Sequence, residues 1–219
     1  MNRLAIFDCD GTLVDSQANI CLAIEHCFAA ADLPAPDRER SRRVVGLSLV
    51  EAMRALLPEA EAGLHLDLAE GYKRAFLRLR AMDQVEEPLY EGVADLLDAL
   101  EADGWLLGVA TGKSDRGLAL CLDHHGLAGR FVTLQTADRH PSKPHPAMIE
   151  AALAEAGADP AASMMIGDTS YDMAMARAAG VTAIGVAWGY HDRDELLAAG
   201  ADHVAAHPYE VIQLAKAPA

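Results

Sequence analysis

The chain has 219 residues, 52% hydrophobic and 23% charged, which is the composition of a folded protein with room for one large domain or a core plus a small second one. Its formal net charge of −15 repels nucleic acid and anionic membrane, so neither is expected as a partner. No apolar run is long enough to span a bilayer, and Met1-Asn2-Arg3 leads straight into a strand-like run, which predicts a cytoplasmic protein without a signal peptide. Cys9, Cys21, Cys27 and Cys121 show no metal-ligand spacing and read as reduced, mostly buried thiols rather than a zinc site.

Leu4 to Phe7 is a short apolar run that reads as a buried parallel strand. Apolar residues then recur at helical spacing from Ser16, a plausible N-cap, to about Ala31. Leu33-Pro34-Ala35-Pro36 breaks that helix; further helical segments follow over Asp37 to Val45, Leu49 to Leu57, and from Pro58 to about Met82. Residues 16–83 therefore predict an all-helical insert. Strands then alternate with helices. Strands are expected at Trp105 to Ala110, Phe131 to Leu134, Met164 to Gly167, Val181 to Val186 and His203 to Ala205. The helices between them cover Glu91 to Ala102, the stretch ending at His125, Ala147 to Ala156, Tyr171 to Ala179, Asp192 to Ala199 and Tyr209 to Ala215. This alternation predicts an α/β fold: a doubly wound, mainly parallel, Rossmann-like sheet. The core spans 1–15 and 84–219, and the helical domain 16–83.

The chemistry gathers at strand ends. Asp8 and Asp10 close the first strand, and side chains two apart in an extended chain point the same way. Two such carboxylates point to an acid and a base, to a divalent metal, or to both. Thr111-Gly112 ends the second strand and offers a hydroxyl and helix-terminal N–H groups to a phosphate. The neighbouring Lys113 reads as solvent-facing or helix-capping. Lys143 sits in a proline-stiffened loop, Ser142-Lys143-Pro144-His145-Pro146, where a restrained ammonium can neutralise an aspartate and a phosphoryl group. Asp168 closes a fourth strand, and Asp172 lies one helical turn on, an oxygen set suited to Mg²⁺.

These motifs, in this order, resemble those of the haloacid dehalogenase superfamily. Asp8-Cys9-Asp10-Gly11-Thr12-Leu13-Val14-Asp15-Ser16 is similar to its first motif, Thr111-Gly112 to its second, Lys143-Pro144 to its third and Gly167-Asp168 through Asp172 to its fourth. The stretches Val186 to Tyr190 and Gly200 to Asp202, with the helical insert, resemble the phosphoglycolate phosphatase-like branch and its small cap. The resemblance implies a phosphatase in which Asp8 is the nucleophile, Asp10 the general acid and base, and Lys143 the catalytic cation. Thr111 and Gly112 bind the substrate phosphate. Asp8, Asp168 and the Asp10 backbone carbonyl hold Mg²⁺, with Asp172 in support. The implied partner is a small phosphorylated metabolite, with 2-phosphoglycolate as one candidate. A pyrophosphatase, a sugar-phosphate mutase or a non-catalytic binding protein of the same fold are the alternatives.

Departures inside the family narrow this further. Asp10 argues against dehalogenation, and the lysine-free segment from Asp37 to Glu70 argues against a phosphonatase. Ile20, Val45 and Leu49 stand where mutases of the family place His, Lys and Arg. Arg42 and Arg43 offer a cation for a substrate carboxylate, against the plainer reading of a solvated basic helix face.

Overall fold

The computed structural model describes residues 2–216. The chain order is β1 (Asn2–Phe7), α1 (Gln17–Ala30), α2 (Arg38–Arg43), α3 (Leu49–Leu56), α4 (Ala62–Ala81), α5 (Val93–Ala102), β2 (Trp105–Thr111) and α6 (Asp115–His124). It continues with β3 (Phe131–Thr136), α7 (Ala147–Ala156), β4 (Ala158–Gly167), α8 (Ser170–Ala179), β5 (Thr182–Val186), α9 (Arg193–Ala198), β6 (His203–Ala205) and α10 (Pro208–Lys216). The expected core range also takes in residues 1 and 217–219, which lie outside the described residues.

The six strands form one sheet in the order β3-β2-β1-β4-β5-β6, and every pairing is parallel. This is the doubly wound order, with β1 at the centre and its switch point between β1 and β4. The apolar run of β1 is buried on both faces. Ala5 and Phe7 pack with Leu96 of α5, Leu118 of α6 and Val211 of α10. Leu4 and Ile6 pack on the opposite side with Met148 and Ile149 of α7 and Met173 of α8. A two-residue period with both sets apolar is what a central strand between two helical layers requires.

Several expected bounds needed adjustment, the largest at β4, which begins at Ala158 rather than Met164. Strand β3 runs two residues past Leu134, because its polar residues are satisfied inside the fold: Gln135 Nε2 donates to Glu155 at 2.8 Å and to Thr133 Oγ1 at 2.7 Å. Helix α4 begins at Ala62, not at Pro58; residues 58–60 form a turn closed by Ala60 N donating to Leu57 O at 3.1 Å.

Helices α1 to α4 follow β1 consecutively and pack on one another, α1 on α4 and α2 and α3 on α4 or α1. Ile24, Phe28, Met53, Leu56 and Leu68 form their apolar centre, which Tyr190 joins from the segment after β5. The chain enters this group after residue 16 and leaves it near residue 82, and Val14 forms an antiparallel bridge with Leu89 where the two passages meet.

Candidate active site

The carboxyl ends of β1, β2 and β4 are neighbours in the sheet, and each delivers a predicted residue: Asp8 follows β1, Thr111 ends β2 and Asp168 follows β4. Lys143 comes from the loop before α7, and Asp172 from the first turn of α8. Asp8, Lys143, Asp168 and Asp172 are all buried.

Lys143 Nζ lies 2.8 Å from Asp8 Oδ2 and 2.7 Å from Asp172 Oδ1. Burial alone would lower the pKa of this ammonium, but Asp172 and Asp8 reverse that and raise it, so Lys143 stays charged. Asp172 Oδ2 accepts from Thr169 N at 3.0 Å and Thr169 Oγ1 at 2.7 Å, closing the capping box of α8. Asp168 accepts from Thr12 Oγ1 at 2.8 Å and from Tyr190 N at 2.9 Å. Asp8 Oδ1 accepts from Cys9 N at 2.6 Å.

Asp8 Oδ2 is different. It is buried, and the ammonium of Lys143, 2.8 Å away, is its close polar partner among the described residues. Oxygens of Asp8, Asp168 and Asp172 lie within 4.8 Å of one another. Burial pushes the Asp8 carboxyl up to about 7 against the pull of Lys143. Burial, then the charges of Asp172 and Asp8, push Asp168 well above the usual carboxylate range. Three buried carboxylates with one ammonium between them leave an excess of negative charge, which fits a hard divalent cation.

Asp10 is held apart from this cluster by its own cation. Its Oδ1 lies 2.8 Å from Lys113 Nζ and accepts from Ser16 Oγ. The expectation that Lys113 faces solvent is corrected here. Its side chain is only 10% exposed, and a second carboxylate, Glu87 Oε1, lies 2.8 Å away. Glu87 in turn meets Arg80 of α4 at 2.6 Å. Burial would lower the Lys113 pKa, but Asp10, Cys9 and Glu87 raise it well above that of an ordinary lysine. Asp8 and Asp10 are thus neutralised separately, Asp8 by Lys143 and Asp10 by Lys113. Ser16 does stand at the N-cap position of α1, but its hydroxyl makes no capping bond there; it serves Asp10 instead.

Arg42 and Arg43 hold other partners. Arg42 Nε donates to Tyr190 O at 2.9 Å, and Arg43 forms an ion pair with Glu195. Both tie α2 to the α/β core. Neither lines the cavity beside Asp10.

The turn between α2 and α3 covers the site. Gly46 has φ of +95°, a conformation open to glycine at little cost. A Cβ placed there would lie 3.3 Å from Thr169 Oγ1 and 3.9 Å from Asp8 Oδ2. Gly112 meets the same turn: a Cβ on it would come 2.6 Å from the carbonyl oxygens of Gly46 and Leu47. Ser48 N donates to Ser142 Oγ at 2.8 Å, so the helical group rests directly on the loop that carries Lys143.

Sequence reasoning missed Lys113 and Glu87. The Thr-Gly-Lys turn gave one signal for Lys113, since a lysine at a strand end beside paired acids has carboxylates within reach. Nothing in Glu86-Glu87-Pro88 marks Glu87, which is selected only by the folded position of Lys113.

The model of the haloacid dehalogenase-like hydrolase family matches residues 5–186. The chain belongs to that family. Among curated relatives, it is 37% identical over 201 residues to the protein named "Probable phosphatase IndB" of Dickeya dadantii, covering 91% of this chain and 87% of that one. It is 33% identical over 198 residues to a phosphoglycolate phosphatase of Agrobacterium fabrum, covering 88% and 83%. It is also 33% identical over 220 residues to an N-acetylmuramic acid 6-phosphate phosphatase of Pseudomonas aeruginosa, covering 97% and 94%. Among solved structures, a hydrolase from Pseudomonas syringae superposes with a TM-score of 0.85 at 27% identity, covering 97% of both chains. As a member of this family the protein is a hydrolase of phosphoric monoesters. None of its described helices is long and apolar enough to cross a membrane.

Proposed function

We propose that the protein is a Mg²⁺-dependent phosphatase of small phosphorylated metabolites that works through an aspartyl-phosphate on Asp8, with residues 16–83 acting as a cap over the site. The observation that carries this reading is Asp8 itself: buried at the end of β1, its Oδ2 2.8 Å from Lys143 Nζ and within 4.8 Å of oxygens of Asp168 and Asp172. An oxygen so placed is free to attack and is held next to positive charge.

Asp8 and Asp168, with the Asp10 backbone carbonyl, would hold the metal, and Asp172 would fix Lys143 and the helix α8 terminus behind them. The bound cation would supply charge that keeps Asp8 ionised and offsets the phosphoryl oxygens. Asp8 attacks phosphorus, the bond to the leaving oxygen breaks, and Asp10 gives its proton to that oxygen. Asp10 then takes a proton from water, whose oxygen displaces Asp8 and releases phosphate. Lys143, the Thr111 hydroxyl and the Gly112 N–H bind phosphoryl oxygens. The Gly46 turn excludes bulk water.

Relatives named for phosphoglycolate and for N-acetylmuramic acid 6-phosphate bring a two-carbon acid and an amino sugar forward as leaving groups. The test is phosphate release from a panel holding both, sugar phosphates, nucleotides and pyrophosphate, with Mg²⁺ and with EDTA. Release that needs Mg²⁺ and is lost in Asp8→Asn is expected. Release from the panel that persists in EDTA, or in Asp8→Asn, would overturn the reading.

A further inference from the structure

A cavity of about 350 Å³ lies between the helical group and the α/β core, with Asp10, Gly112 and Lys113 on one wall. Its buried lining includes Asp10, beside which the leaving group of a phosphate held at Asp8 must lie. Its opposite wall is apolar: Ile20 and Ile24 of α1, Met53 of α3, and Tyr72, Phe76 and Leu77 of α4. Tyr72 and Phe76 stand with ring centroids 5.8 Å apart, giving the cavity an aromatic side.

Its inner cations are already engaged, while Arg116, exposed on its outer edge, forms no ion pair among the described residues. Lys113 is shared by Asp10 and Glu87, Arg80 is paired with Glu87, and Lys73 with Glu70. Arg42 and Arg43 turn to Tyr190 and Glu195. A carboxylate next to the reacting oxygen would therefore lose its water and face Asp10, and the unpaired guanidinium of Arg116 stands on the exposed edge rather than on the buried wall. A two-carbon acid would also fill only a fraction of this volume and leave the apolar wall unpaired. Pockets of this size, about 300 Å³ and upward, suit drug-sized ligands.

The geometry points to a phosphomonoester whose leaving alcohol is bulky and carries an apolar or aromatic ring, as the substrate class, in preference to 2-phosphoglycolate. This rests on the phosphatase reading for the placement of phosphate at Asp8. The ring occupies the space between Phe76 and Met53, and its alcohol oxygen lies at Asp10.

Binding tests the substrate class apart from turnover. Two phosphonates that cannot be hydrolysed are titrated calorimetrically into the wild-type protein with Mg²⁺: 3-phenylpropylphosphonate, and 3-phosphonopropionate, the counterpart of 2-phosphoglycolate. The aryl compound is expected to bind at least about tenfold tighter, the scale on which an apolar pocket rewards added carbon. Phe76→Ala should remove most of that preference and leave the carboxylated compound's Kd unchanged. Leu77, 41% exposed on the rim, provides a variant that need not disturb packing, and Leu77→Glu should weaken the aryl compound alone. Equal binding, tighter binding of the carboxylated compound, or a preference untouched in Leu77→Glu would each overturn the inference. Failure of both compounds to bind would overturn it too. Mg²⁺-dependent phosphate release, measured separately, judges the reaction itself.

Discussion

Lys113 Nζ lies 2.8 Å from Asp10 Oδ1, in a contact where both side chains are 10% exposed. The same ammonium holds Glu87, and Glu87 holds Arg80 of α4. The acid and base of the proposed reaction is thus joined through charge to the helices above it. Lys113→Met should lower kcat by about tenfold or more, a part of what a positioned acid–base group supplies. Lys113→Arg should recover some of it. Steady-state kinetics on both variants, with circular dichroism to confirm folding, decides this.

Glu87 has a consequence for stability. Burial pushes its carboxyl up, but Lys113 and Arg80 outweigh burial and bring it below the usual range. A carboxyl lowered on folding stabilises the protein above its unfolded value, and that contribution fades as pH falls through the folded one. Glu87→Ala should cost about 3 kcal/mol near neutrality, as removal of one partner from a buried pair does. The gap to wild type should narrow below about pH 4, the ordinary range of glutamate. Urea denaturation across pH measures both.

Asp8 has the opposite sign. Its carboxyl rises from 3.8 to about 7 on folding, so its contribution is present below the unfolded value and is lost as pH rises through about 7. In metal-free protein, Asp8→Asn should become progressively more stable than wild type between those values, while turnover falls by at least about 10⁴-fold, as loss of a nucleophile does. Adding Mg²⁺ should raise the melting temperature of wild type and close the gap. Thermal melts with EDTA and with Mg²⁺ test this without any substrate.

Lys143 is the counterpart of that cluster. Its side chain is fully buried between Asp8 and Asp172. Lys143→Met should leave the three acids without their cation, destabilise metal-free protein by about 3–5 kcal/mol and abolish turnover. Calorimetric unfolding reads the first effect and phosphate release the second.

Gly112→Ala tests the closed turn. The added methyl would stand 2.6 Å from the carbonyl oxygens of Gly46 and Leu47, backbone atoms that yield only if the turn moves away. The α/β core should change by about 1 kcal/mol or less. Amide exchange over residues 44–49 should quicken, and kcat/KM should fall about tenfold.

The sequence by itself determined the order of strands and helices, because a fully apolar β1 and helical repeats ending at glycines are local patterns. It also determined the acids at the ends of β1 and β4, since a carboxylate directly after a buried strand has few other uses. Lys143 was legible as a cation for an aspartate, but tertiary structure alone showed that Lys113 neutralises Asp10. Lys113 holds Asp10 while Lys143 holds Asp8 and Asp172, and that division depends on β1, β2 and β4 being neighbours. Glu87, Ser16 and Tyr190 joined the site for the same reason. The apolar cavity is legible from neither α1, α3 nor α4 alone, because it exists only where their faces meet the core.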